Sequence, residues 1–106
     1  MRFVLSLAAL LFASGVQAET ELEPWQEKSA EALSSFNKFK EVSWEQKISL
    51  WIFVENDGSD WNSIQSYVCK TLKGNGKPDS AFVVVTFWDH QAALAGNSIQ
   101  YAKNPC

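Results

Sequence analysis

Arginine is nearly missing from this chain. Its single example is Arg2, close to the start. Beyond residue 18, eight lysines stand against twelve acids, a net charge of −4. A nucleic-acid surface needs a basic stripe, usually with arginine, to displace the counterions of the phosphates. An acidic chain of this kind does not offer one, and an anionic membrane surface is disfavoured for the same reason. A modest negative charge suits solubility or a basic protein partner.

Histidine is as scarce, with His90 the only one. A nucleophile activated by a neighbouring base would have to use it, and neither Ser59 nor Ser98 sits in a Gly-x-Ser-x-Gly setting. No Cys-x-x-Cys, no calcium-loop spacing and no Asn-x-Ser/Thr acceptor occurs. Gly74-Asn75-Gly76 follows a helical pattern rather than a strand, so it is no phosphate cradle. No cofactor is implied.

Long apolar runs are absent too. Phe3 to Ala13 is the longest candidate, behind the basic Arg2 and ahead of the small residues of Val16-Gln17-Ala18. A spanning helix wants about 20 apolar residues. This stretch instead has the form of a secretory signal peptide over residues 1–18, with no membrane insertion expected after its removal. The protein is therefore expected to be exported, to a periplasm or the extracellular space. Residues 19–106 then make one small domain.

A core of that size is marginal, so a covalent tie would help. Only Cys69 and Cys106 can supply it. In an exported chain such a pair reads as a disulfide, and closing its loop is worth roughly 4 kcal/mol by chain entropy. An intermolecular bridge and free thiols are the alternatives.

The richest stretch is Ala81 to His90, β-branched and aromatic with no charge before Asp89. It reads as a strand buried on both faces. A second strand spans Lys47 to Glu55, where Ile48, Leu50, Ile52 and Val54 alternate with Trp51 and Phe53. Between them, Asp60 or Ser59 caps a helix with Trp61, Ile64, Val68 and Leu72 as its stripe and Gly74 as its stop. A helical connection makes the two strands parallel. Upstream, Pro24 opens an amphipathic helix carrying Trp25, Ala32, Leu33 and Phe36, which fades near Lys38 to Lys40. Glu41 to Gln46 reads as a connection, despite Trp44. After Asp89, a short helical turn through Ala95 precedes a short edge strand at Ser98 to Ala102. The fold class is thus α/β: a small single domain with a strand-helix-strand core and an N-terminal amphipathic helix.

A helix covers roughly two strands, since helices pack about 10 Å apart and strands about 4.8 Å. One helix on each face of a two- or three-stranded sheet would close the core, and that is the expected arrangement. Were both helices on one face, Trp51, Phe53, Phe82, Val84 and Trp88 would form an exposed patch suited to a partner or a second copy.

Two candidate sites follow. The carboxyl ends of parallel strands would gather Asp57, Asp60, Asp89 and His90, a set able to hold a polar ligand or divalent cation. Capping and turn formation explain the same acids without a ligand. The other is a partner surface drawn from Trp44, Trp51, Phe82 and Trp88, the tryptophans being numerous for so short a chain. A non-catalytic binding role, inhibitor-like or accessory, is the leading expectation, with a protein partner or self-association. A small-ligand domain comes second and a minor hydrolase built on Ser59, His90 and Glu55 third.

Overall fold

Strand β2, Ser49–Val54, shows alternation at its plainest: Leu50, Ile52 and Val54 are buried while Ser49, Trp51 and Phe53 are only partly so. The computed structural model describes residues 21–106, so the proposed signal peptide lies outside the described residues. Around β2 the chain runs α1 (Pro24–Ser34), β1 (Phe39–Gln46), β2, α2 (Trp61–Gly74), β3 (Val84–Asp89), α3 (His90–Leu94) and β4 (Gln100–Pro105). The four strands lie in sequence order in one mixed sheet. β1 and β2 form an antiparallel hairpin, β2 and β3 are parallel as the α2 crossover requires, and β4 returns antiparallel to β3. No helix among the described residues is long and apolar enough to cross a membrane.

The segment expected as a connection, Glu41 to Gln46, is instead most of β1. Only Phe39 and Trp44 of that strand are buried, and register shifts after Phe39 and Trp44 break the two-residue period. An irregular edge strand with polar neighbours loses the alternation by which strands are found. The helix before it correspondingly stops at Ser34, several residues short of the expected end.

α1 starts at Pro24 with a reciprocal cap in which the Glu23 amide donates to the Gln26 side chain at 2.8 Å. Its fully buried residues are Gln26, Ser29 and Leu33, whereas Trp25 and Phe36 pack only partly against the core. The two polar residues are tolerated because each is bonded. Gln26 Nε2 donates to the Lys47 carbonyl at 2.9 Å, and Ser29 Oγ donates to the Trp25 carbonyl at 2.6 Å. α2 buries Trp61, Gln65, Val68 and Leu72. Its chain reversal falls to Gly76, in the left-handed region at φ 107°, rather than to Gly74.

Leu33 of α1 and Val68 and Leu72 of α2 belong to the same apolar cluster as Leu50, Ile52, Val85 and Phe87. Both helices therefore lie on one face of the sheet. α1 rests on β1, α2 approaches β4, and the helices touch each other between. The expectation of one helix per face was wrong because it omitted a strand. Four strands are wide enough to take two helices side by side, and the opposite face of the sheet is left without either.

Cys69 and Cys106 form the disulfide, with Cα atoms 5.4 Å apart. Beside it, Gln65 Nε2 donates to the carbonyls of Asn104 and Pro105 at 2.7 and 3.3 Å. The last strand is thus tied to α2 covalently and by a side-chain amide.

Candidate functional site

On β2 and β3 every second residue points away from the helices. Register places Trp51 beside Thr86 and Phe53 beside Trp88 on that open face. The Trp51 and Trp88 rings meet edge to face, with centroids 5.2 Å apart, and Phe53 stands 6.2 Å from Trp51. These contacts hold the indoles in place while leaving them partly in solvent. Thr86, between them, is 2% exposed and forms floor rather than wall.

α3 shapes one end of this face. Asp89 caps it by accepting from the Ala92 amide at 2.7 Å, and Gly96, at φ 84°, turns the chain back toward β4. The turn sets Ala93, Asn97 and Ser98 against Trp51, Phe53 and Trp88 around a hollow of about 290 Å³. A second hollow, of about 380 Å³, lies beside the same two tryptophans and is bounded by Glu45, Gln46, Ser49, Gln100 and Lys103. The face is therefore an aromatic ridge between two depressions with polar edges.

Asp89 has a second partner. The register shift opposite Phe87 and Trp88 puts an extra residue in β4. Tyr101 thereby joins Ala102 on the helix side, where its ring stacks on Trp61 at 6.1 Å. Its hydroxyl donates to the Asp89 carboxylate. That bond, with the Ala92 amide, holds the Asp89 carboxyl below its ordinary range. The same bond pushes the Tyr101 phenol up to about 12.

The acids expected at the strand ends are engaged separately. Asp57 pairs with Lys38 and accepts from the Ser59 amide at 3.0 Å, which holds its carboxyl far below the usual range. Asp60 caps α2, accepting from the Asn62 and Ser63 amides at 3.1 and 3.4 Å. Among the described residues, no three His, Cys, Asp or Glu side chains converge where a cation would sit. His90 opens α3, and its Nδ1 is shut from solvent without a partner. Ser59 Oγ accepts from Lys38 Nζ at 3.0 Å, so the hydroxyl offered as a nucleophile faces an ammonium.

Comparison with protein-family models, with curated proteins and with solved structures finds no match for this chain.

Of the aromatic residues proposed as a partner surface, Trp51 and Trp88 share the open face. Phe82, 57% exposed, precedes β3 and does not line either hollow. Trp44 does not belong with them. It is 7% exposed in the core, and its Nε1 donates to the Gln26 carbonyl at 2.9 Å. Its position in a supposed loop suggested exposure, but as a β1 residue opposite Leu50 it faces the helices. The α3 wall and the polar edges escaped sequence reading, because they come from four separate segments and carry no local pattern.

Proposed function

We propose that this chain is an exported, non-catalytic binding domain that holds another macromolecule on the open face of its sheet. The role would be inhibitor-like or accessory, at the cell envelope or outside it. The observation that carries this reading is the placement of both long helices on one face, with Trp51, Phe53 and Trp88 partly exposed on the other. Large aromatic rings ringed by polar groups are the usual anchors of recognition surfaces. Export draws support from the leader-like residues 1–18 and from the Cys69–Cys106 bond. A hydrolytic role finds little support, since Ser59 is bonded to Lys38.

The test is retention. Wild-type protein on a matrix is offered the protein and polysaccharide fractions of an envelope extract, beside the Trp51→Ala/Trp88→Ala double variant. Wild type should hold a component that the double variant releases. Equal retention by both, or none by either, would remove the proposal.

A further inference from the structure

The open face has a composition of its own, and it narrows what can sit there. Around the Trp51–Trp88 ridge the polar groups are chiefly neutral: Gln46, Ser49 and Gln100 on one side, Asn97 and Ser98 on the other. Two charges reach the second hollow, Glu45 from β1 and Lys103 from β4, and they cancel. The linings of the two hollows therefore carry no net charge, although Glu41, opposite Phe53 in the register, adds one acid to the face beside them. An ionic ligand would find no net complementary charge in either hollow. An uncharged ligand rich in hydroxyls would find amide and hydroxyl partners.

The shape narrows it further. α3 and the turn at Gly96 stand at one end of the face, against Trp51 and Phe53. A flat partner sheet needs about 10 Å of clear separation along its whole width, and this end wall denies it. The floor is made by the central strands β2 and β3, each paired on both sides. Their main-chain groups are used, so an extended peptide would have to leave its own amides to side chains alone. The two hollows, about 290 and 380 Å³, lie close to the low end of the roughly 300–1,000 Å³ of ligand sites. Both use the same two indoles, Trp51 and Trp88.

From these features we infer that the occupant is a neutral polysaccharide chain, with successive pyranose rings in the two hollows and their C–H faces against Trp51 and Trp88. Polarised C–H groups are attracted to the negative face of an indole. The ring hydroxyls take the edge amides and hydroxyls as partners. This rests on the reading of the open face as a binding surface and names its ligand.

The experiment is a tryptophan-fluorescence titration with three neutral hexasaccharides: β-1,4-linked glucose, α-1,4-linked glucose and β-1,4-linked N-acetylglucosamine. At least one should saturate the signal and bind ten-fold or more tightly than its own monosaccharide, since one ring fills only one hollow. Trp88→Ala should weaken it ten-fold or more. Gln100→Ala, an exposed change that leaves the core untouched, should weaken it several-fold. Phe82→Ala should leave it unchanged. No response to any of the three, or affinity that survives both Trp88→Ala and Gln100→Ala, overturns the inference. If the hexasaccharides fail while a protein is retained by wild type and released by the double variant, the ligand class is wrong and the binding face stands. If neither is held, both readings fall.

Discussion

The Tyr101 hydroxyl donates to the Asp89 carboxylate, joining the end of β3 to the bulged start of β4. Asp89 also caps α3, so one side chain fixes three elements around the open face. Its bond to Tyr101 gives stability a dependence on pH at both ends. The Asp89 carboxyl titrates lower in the folded state than in the unfolded chain, so its contribution is present above about pH 4 and is lost as pH falls through the folded value. The Tyr101 phenol is raised to about 12, so its contribution is complete below the unfolded value of about 10 and is lost as pH rises toward 12. Tyr101→Phe should therefore lower the urea midpoint most near neutrality, with the difference from wild type shrinking in acid and in strong alkali. A difference of the same size at pH 3 and pH 7 would refute this.

The tyrosinate band offers a direct reading of the same bond. Subtracting the 295 nm titration of Tyr101→Phe from that of wild type should leave a single phenol with a midpoint near 12. A midpoint near 10 would mean that the phenol is not held by Asp89.

Trp44 and Trp88 should respond differently to truncation. Trp44 is buried and bonded to the Gln26 carbonyl. Trp44→Ala opens a cavity and removes the side-chain bond to that carbonyl, at a cost of about 3–5 kcal/mol. Trp88 keeps one side in solvent, and Trp88→Ala should cost less than half as much. Chemical denaturation of both variants checks the order, and equal losses would place Trp88 in the core.

Removing the disulfide should cost up to roughly 4 kcal/mol by loop entropy. Its loop spans a sequence separation of 37 residues. Cys69→Ser/Cys106→Ser should still fold, since Gln65 continues to hold Asn104 and Pro105, but at a lower denaturant midpoint. Mass spectrometry of non-reduced wild-type protein should show the mass of the bridged form, and two free thiols would contradict the pairing.

The two central strands, the long helix between them, the cysteine pair and the caps at Asp60 and Asp89 were legible because each rests on local chemistry. Alternation in Ser49–Val54 follows from the pleat, and helical spacing in Trp61–Gly74 follows from the turn of the helix. β1 was hidden because an edge strand with bulges has no clean period. Missing it reversed the packing expectation and misplaced Trp44.

What the sequence determined by itself was which residues share a side of each element: Trp51 with Phe53, and Val84 with Trp88, since side-chain direction along a strand is local. Which of the two sides a helix would cover was decided only by the tertiary structure. That depended on the number of strands and on where α1 could dock, through Gln26 to Lys47 and Trp44 to Gln26. Those contacts join residues 18 and 21 positions apart. No short window of sequence contains them, and they leave Trp51 and Trp88 facing solvent.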